Sequence, residues 1–142
     1  MVIAVGLDIV ELGRIEAVWN NHRDRFLERH FHPDELEYCL KKRNPLPSLA
    51  VRFAAKEAFQ KTWPVAHGWR DVWVVREGDK PVLRFADEIA AEMAKNGWSL
   101  FAACVFCGRS SLGSELRLRF PLMAHGCFSS LLIRLYRPPH RL

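Results

Sequence analysis

The stretch "SLAVRFAAKEAFQKTW" (Ser48–Trp63) predicts the longest helix of the chain. It is rich in alanine and contains neither glycine nor proline, so its intrinsic helix propensity is high. Phe53, Glu57 and Lys61 follow one another at intervals of four residues, which places them at neighbouring positions on one helix face. We expect this helix to present a charged pair, Glu57 and Lys61, within an otherwise apolar face.

Arg52 and Lys56 are also four residues apart and form a second, basic row on an adjacent face of the same helix. A glutamate flanked by Arg52, Lys56 and Lys61 can offer a metal ligand within a field that binds phosphate. The alternative is that Glu57 and Lys61 form an ordinary surface pair, which contributes about 0.3–0.5 kcal/mol to helix stability.

The N-terminal run "VIAVGLDIV" places a carboxylate, Asp8, inside a stretch that otherwise predicts a buried strand. We predict this strand over residues 2–9 and expect both of its faces to be covered, because the run is too apolar for a strand with a solvated face. Burying an ionised carboxylate costs several kcal/mol unless a cation or a set of donors meets it. Asp8 therefore either has a charged partner or caps a local turn.

If Asp8 faces Glu57, two hard oxygen ligands converge. That pair suits Mg²⁺, which takes one or two carboxylates, keeps several waters and completes its shell with substrate phosphates. A divalent ion between a diphosphate and two carboxylates, with basic residues nearby, can stabilise the charge that develops in a displacement at phosphorus.

The remaining pattern predicts a helix after Gly13, a helix that starts at Pro33, a hairpin, and a further helix ended by Gly97. His32 stands at the N-cap position before Pro33, which indicates a structural rather than a catalytic role. The hairpin strands are "DVWVV" and "PVLRF", and "WSLFAACVF" predicts a last buried strand. This mixture of elements predicts an α+β fold.

The pattern dissolves from about Arg109 onward, in a segment rich in Ser, Leu, Arg and Pro. Residues 99–142 hold six arginines and one glutamate, so this segment carries the whole net charge of +5. We predict one domain over residues 1–108 and an atypical, poorly packed basic tail over residues 109–142. The abrupt change is what a shifted reading frame would produce, although a genuine divergent tail is the alternative. Cys104, Cys107, His125 and Cys127 show irregular spacing that indicates a zinc site only weakly.

A chain of 142 residues, 49% of them hydrophobic, is long enough for one compact core. It has no run of about 18 apolar residues and no basic, apolar leader, so we expect a soluble cytoplasmic protein without a membrane segment. The four cysteines are then expected to be reduced thiols. The arginine-rich tail lacks any recognisable nucleic-acid module, so nucleic acid is not an expected partner.

Two motifs carry a family resemblance. "GLDIVELGRIE", followed after some forty residues by "LAVRFAAKEAFQK", resembles the holo-acyl-carrier-protein synthase type of 4′-phosphopantetheinyl transferase. "FHPDELEYC" resembles the start of that family's middle helix, and "GWRDVWVV" and "KPVLRF" resemble its hairpin. The resemblance covers residues 1 to about 98 and implies the family's α+β fold, a small antiparallel sheet packed against a long helix.

The resemblance also implies an activity. The family transfers the 4′-phosphopantetheine arm of coenzyme A to a serine of apo acyl carrier protein in fatty acid biosynthesis, and releases adenosine 3′,5′-bisphosphate. It requires Mg²⁺, and its short members are homotrimers with active sites between subunits.

Carried over to this chain, Asp8 and Glu57 would ligate the Mg²⁺ and Lys61 would lie by the phosphates. Glu57 or a metal-bound water would take the serine proton. Arg14 matches the family position that meets the acidic recognition helix of the carrier protein, although an arginine on such a helix can also be merely solvated.

This sequence departs from the family at its end. Family members finish with a Ser-x-Ser-His-like motif, whereas "WSLFAACVFCGRSS" lacks the histidine. Three functions follow: an active transferase, a catalytically impaired relative that still binds coenzyme A or carrier protein, and, on the tail alone, a nucleic-acid-binding protein.

Overall fold

The computed structural model describes residues 2–78, 80–107 and 128–136. Within these residues the chain forms four helices and five strands, which confirms the predicted α+β class. None of the helices in these ranges is long and apolar enough to cross a membrane. In chain order, the elements are β1 (Val2–Glu11), α1 (Leu12–His30), α2 (Pro33–Leu40), α3 (Leu46–Thr62), β2 (Val72–Glu77), β3 (Lys80–Phe85), α4 (Asp87–Asn96), β4 (Ser99–Cys107) and β5 (Phe128–Tyr136).

The strands form two antiparallel sheets. β1, β5 and β4 lie side by side in that order, and β2 pairs with β3 as the predicted hairpin. β5 is therefore the central strand of the larger sheet: Leu131 stands opposite Asp8 on one side and opposite Cys104 on the other. The first strand of the chain joins this sheet through the last strand described.

Helix α3 packs across β1 and β5 with a buried face made largely of small side chains. A Cβ atom on Gly6 would lie 2.0 Å from the carbonyl oxygen of Ala58, so only glycine permits this approach of strand to helix. The close approach brings the polar side chains of β1 and α3 within reach of one another. The alanines of that buried face are Ala50, Ala54, Ala55 and Ala58.

β1 alternates between two environments along its length. Asp8 and Val10 are buried against the rest of the chain, whereas Val5, Leu7 and Ile9 are 52%, 52% and 57% exposed. The prediction that both faces of this strand are covered is therefore wrong for the single chain. Three large apolar side chains in one row instead leave an unpartnered apolar strip on the sheet.

The helix boundaries follow local capping chemistry. α2 begins at Pro33, where the His32 ring accepts a hydrogen bond from the Asp34 backbone N–H at 3.3 Å and the Glu35 carboxylate accepts one from the His32 backbone N–H at 3.0 Å. This capping box confirms the structural role predicted for His32. α1 begins at Leu12, so Gly13 lies inside its first turn and does not precede it as predicted, and the backbone is non-helical at His22.

The sequence did not predict β5, which lies inside the proposed tail. β5 occupies Phe128–Tyr136 and pairs with both β1 and β4. Residues 108–127 and 137–142 lie outside the described part of the chain, as do His125 and Cys127 of the weak zinc pattern. The tail boundary and the shifted-frame hypothesis stay predictions.

Candidate active site

Asp8 lies on the buried face of β1 and is 8% exposed. Its Oδ1 accepts a hydrogen bond from Lys61 Nζ at 2.9 Å, and the same ammonium donates to the carbonyl oxygen of Leu7 at 2.8 Å. Its Oδ2 is buried and has no hydrogen-bond donor among the residues that the structure describes. The sequence predicted a cation for Asp8, and Lys61 supplies one, but half of the carboxylate stays unsatisfied.

Glu57 lies beside Asp8, as the sequence predicts. Burial raises the pKa of Glu57 from its ordinary 4.5 to about 7, helped by the hydrogen bond to Asp8 and by its negative charge; the charges of Lys61 and Arg14 oppose this rise. Two ionised carboxylates cannot hydrogen-bond to each other, so Asp8 accepts from Glu57 only when Glu57 is protonated. A proton or a cation bound between them would therefore relieve the repulsion between the two carboxylates.

A groove of about 310 Å³ opens beside Glu57, between the end of β1, helix α1 and the middle of α3. Arg14, in the first turn of α1, lies on its wall, and apolar side chains such as Ile15 and Phe53 line it. His30 lines the far end, where burial lowers its pKa and its Nδ1 lies 2.9 Å from the carbonyl oxygen of Phe26. The groove therefore runs from the carboxylate pair along an apolar surface, and the positive charge of Arg14 lies on its wall.

The donor set fits a small hard cation. Within the described residues, groups of three or more metal-ligating side chains are absent, so a fully protein-built cage is not formed there. Two adjacent carboxylate groups, one with an unsatisfied buried oxygen, match what Mg²⁺ requires when substrate phosphates and waters complete its shell. Asp8 and Glu57 are the residues that could hold it.

The structure corrects the predicted surroundings of Glu57 with respect to Lys56. Lys56 is 1% exposed, and its Nζ lies 2.6 Å from Oε2 of Glu35 and 2.8 Å from the carbonyl oxygen of Trp69. It is enclosed by protein and is not available to a phosphate. Helical periodicity predicted the row that Lys56 occupies but not that this row is covered by α2 and by the segment before β2.

Arg52 also lies away from the carboxylate pair. Five residues separate it from Glu57, which is about 140° around the helix axis. Its Nη1 donates to the carbonyl oxygen of Ser48 at 3.1 Å, and its guanidinium stacks 4.6 Å from the ring centre of Tyr38. Arg52 Nε is buried without a hydrogen-bond partner among the described residues. Of the three predicted basic residues, only Lys61 therefore contacts the pair within one chain.

Two residues that shape the site were not predicted from the sequence. Gly6 sets the distance between β1 and α3, and a glycine inside a strand pattern is the available signal for such a close approach. Glu35 binds Lys56, but the capping box at the start of α2 is already a sufficient reason for a glutamate at this position. Lys56 is 21 residues further along the chain, and a contact over that distance leaves no local sequence pattern.

Comparison with known proteins identifies the family of the chain. The family model described as the 4′-phosphopantetheinyl transferase superfamily matches residues 4–103. A holo-[acyl-carrier-protein] synthase of Thermus thermophilus is 52% identical over 102 residues, which cover 72% of this chain and 80% of that protein. The corresponding protein of Deinococcus deserti is 49% identical over 106 residues, 69% of this chain and 83% of its own.

Solved structures share the fold at lower identity. The holo-[acyl-carrier-protein] synthase of Neisseria meningitidis superposes with a TM-score of 0.73 at 22% identity, and the match covers 96% of this chain and 100% of that one. The Helicobacter pylori synthase, solved in complex with coenzyme A, gives a TM-score of 0.68 at 23% identity and covers 94% of this chain and 100% of that one. The chain therefore belongs to the 4′-phosphopantetheinyl transferase superfamily, among the holo-[acyl-carrier-protein] synthases.

Proposed function

We propose that this transferase moves the 4′-phosphopantetheine arm of coenzyme A to a serine of apo acyl carrier protein in the cytoplasm, for fatty acid biosynthesis, with Mg²⁺ held by Asp8 and Glu57. The observation that carries the proposal is the carboxylate pair: a buried Asp8 with one oxygen unsatisfied, beside a Glu57 whose pKa is raised to about 7. Two carboxylates held next to each other repel, and a bound cation removes that repulsion, so the pair favours cation binding.

When bound, Mg²⁺ would neutralise diphosphate oxygens and stabilise the charge that develops as the arm is displaced. Lys61 contributes a second positive charge next to Asp8, and its side chain is 53% exposed, so it can also reach a phosphate. Asp8 orients that ammonium through the bond at 2.9 Å. The 4′-phosphopantetheinyl group would then leave adenosine 3′,5′-bisphosphate behind.

Glu57 is the residue that would take the serine proton, on a carboxylate oxygen. Its pKa is raised to about 7 while no cation is bound, and a bound cation would favour the ionised carboxylate, which is the form that accepts a proton. Glu57 also lines the groove through which an acceptor side chain could approach. Both features support the role that the sequence predicts for it.

Arg14 supports the proposal that an acidic carrier protein docks along α1. It lies on the wall of the groove and acts on Glu57 through its charge. Further along α1, Arg25 and Arg29 are exposed and line a second cavity with Phe26. These arginines beside the acceptor entrance would help to steer an acidic helix toward the carboxylate pair.

The apolar strip of β1 supports the proposed homotrimer. Val5, Leu7 and Ile9 are each more than half exposed in one row, and such rows are characteristic of interfaces. An active site between subunits would also give Arg52 a role. Arg52 lies on the other side of α3 from Glu57 and is 6% exposed, so it could take part in coenzyme A binding only if its contacts with Ser48 and Tyr38 opened.

A second candidate function rests on the missing histidine. The segment "WSLFAACVFCGRSS" lacks the Ser-x-Ser-His-like motif that the resemblance leads us to expect. If that histidine is required for turnover, the chain would be a catalytically impaired relative that binds coenzyme A or carrier protein.

One experiment separates the two functions. The full chain is incubated with apo acyl carrier protein, coenzyme A and Mg²⁺, and the intact mass of the carrier is measured over time. The active enzyme adds the mass of the arm, whereas Asp8→Asn and a chelator-treated sample do not; Lys95→Ala, at the exposed end of α4, serves as the matched control. Saturable coenzyme A binding with an unchanged carrier mass would establish the impaired relative instead.

A further inference from the structure

The ion pair between Lys56 and Glu35 is almost completely enclosed, with side chains 1% and 0% exposed. Lys56 Nζ lies 2.6 Å from Glu35 Oε2 and donates to the carbonyl oxygen of Trp69 at 2.8 Å. Glu35 Oε1 accepts from the backbone N–H of Val74 at 2.9 Å, and Oε2 accepts from that of His32 at 3.0 Å. The contacts of the pair reach the start of α2, the loop before β2 and β2 itself, so the pair ties α3 to all three segments.

Stability alone does not account for such a pair. Replacement of a buried ion pair by apolar residues of similar volume is often neutral or stabilising, because both charges must be stripped of water. A buried pair with directional hydrogen bonds does, however, fix the relative placement of the elements that carry it. This raises the question of which element here needs its placement fixed.

Helix α3 is that element. Leu49 and Phe59 are buried toward its two ends, but the buried apolar positions nearest Glu57 are the alanines Ala54, Ala55 and Ala58. Small, similar side chains determine the rotation of a helix poorly compared with large interlocking ones. Lys56 immediately precedes Glu57, so the two side chains leave the helix about 100° apart. Fixing the direction of Lys56 therefore fixes the direction of Glu57, on the face toward Asp8.

We infer that Lys56 and Glu35 are positioning residues for the transferase site: their buried bond sets the rotation of α3 that aims Glu57 at Asp8. This inference rests on the proposed function of the carboxylate pair. A helix has a radius of about 5–6 Å with its side chains, so a rotation of about 20° would move the Glu57 carboxylate by about 2 Å. A misplacement of about 1 Å in a reacting group can lower a rate about 100-fold.

The test uses the full-length double variant Glu35→Gln/Lys56→Met, which removes both charges while keeping similar side-chain shapes. The matched control is Glu37→Gln/Lys41→Met, the same two changes at an exposed pair on α2 and its end, whose atoms lie 2.7 Å apart. Three quantities are measured: the thermal unfolding midpoint, kcat and KM for coenzyme A, and Mn²⁺ affinity without substrates by electron paramagnetic resonance.

We expect the buried double variant to unfold cooperatively, to lose about 10- to 100-fold in kcat, and to bind Mn²⁺ about tenfold more weakly, with a smaller change in KM. The control variant should match the parent in all three. If the buried variant is folded and keeps the parent kcat and Mn²⁺ affinity, the pair is only structural and the inference is wrong.

A second variant decides the matter if the double variant does not fold. Glu35→Asp keeps the charge and shortens the side chain by one methylene, so it should pull Lys56 toward α2 and weaken Mn²⁺ binding; parent-like values would overturn the inference. A parent protein that neither binds Mn²⁺ nor modifies carrier protein would overturn the proposed function and the inference together, whereas a normal parent with a normal variant overturns the inference alone.

Discussion

The Asp8–Lys61 and Glu35–Lys56 pairs each join a lysine of α3 to a carboxylate on another element, yet their surroundings differ. Lys56 and Glu35 are enclosed, and each has further hydrogen bonds to backbone groups. Lys61 is 53% exposed, and Asp8 keeps one oxygen without a donor in the described chain.

This difference separates two uses of the same chemistry. The closed pair, Glu35 and Lys56, has no hydrogen-bonding capacity left for a ligand, so its contribution is to position the elements that it joins. The open pair, Asp8 and Lys61, has an unsatisfied oxygen and lies beside a second carboxylate, so it can still bind a cation and a phosphate. The comparison predicts that changes at the open pair affect mainly turnover, whereas changes at the closed pair affect folding stability and, through the placement of Glu57, turnover as well.

The largest expected effect is at the open site. Glu57→Gln should lower the rate of carrier modification by about 10²- to 10⁴-fold, because it removes both a metal ligand and the proton acceptor. The fold should persist, since the change relieves the repulsion between Glu57 and Asp8. Time-resolved mass spectrometry gives the rate, and far-ultraviolet circular dichroism monitors folding. Transfer near the parent rate would contradict the assignment.

A single change at the closed pair should act first on folding stability. Lys56→Met leaves Glu35 charged, buried and without its cation, so the free energy of unfolding should fall by about 3–5 kcal/mol. Lys61→Met also leaves Asp8 without its cation, but the Lys61 side chain is 53% exposed and water can replace its ammonium, so the loss should be smaller, about 1–2 kcal/mol. Urea unfolding of both variants measures the contrast, and equal losses would show that the two pairs are energetically alike.

Gly6→Ala tests the contact that brings the open pair together. An added Cβ would lie 2.0 Å from the carbonyl oxygen of Ala58, so β1 and α3 must separate. Overpacking of this kind costs about 1–3 kcal/mol. We expect a lower unfolding midpoint together with weaker Mn²⁺ binding. Gly78→Ala, at a turn where an added Cβ meets no atom within 4 Å but φ is +60°, is the control that changes backbone strain without changing the site.

The strained carboxylates should make stability depend on pH. Because the pKa of Glu57 is raised to about 7, the folded protein binds more protons than the unfolded one between about pH 4.5 and 7, and stability from this group falls as pH rises through that range. Allowing for solvent screening of this partly exposed group, the loss should be about 1–2 kcal/mol. Urea unfolding at pH 5 and pH 8, with chelator, measures it. Glu57→Gln should abolish this component, and its persistence there would assign it to another group.

The smallest effect is expected at Arg14. Arg14→Glu should raise KM for carrier protein about fivefold, the size of one exposed charge contact, while KM for coenzyme A changes less. Added salt should narrow the difference, because it screens surface charge. Equal changes in both KM values would place Arg14 in the nucleotide site.

Periodicity and capping chemistry predicted the elements that form locally. α3, the hairpin and the start of α2 each carry their signal within a few residues. β5 was missed because "FSSLLIRLY" does not alternate cleanly, and its assignment depends on pairing with β1, over a hundred residues earlier in the chain. Such pairing is a tertiary effect that local patterns do not encode.

The site divides in the same way. Asp8, Glu57 and Lys61 were predicted from two spaced motifs, and the structure brings them together. Lys56 shows the limit: helical spacing predicts which residues share a face, but the elements that cover the face come from elsewhere in the chain. The exposed face of β1 shows a second limit, because an apolar run indicates that a strand is covered but not which element or subunit covers it.

The position of β5 has a consequence for how the protein acquires its structure. Val2 pairs with Tyr136, so the larger sheet can close only after nearly all of the described chain has left the ribosome. Until then β1 has a free edge and an apolar strip, which are features of a segment prone to intermolecular pairing. Contacts so distant along the chain slow folding, so sheet closure should be the last and slowest step, well after α3 and the hairpin have formed.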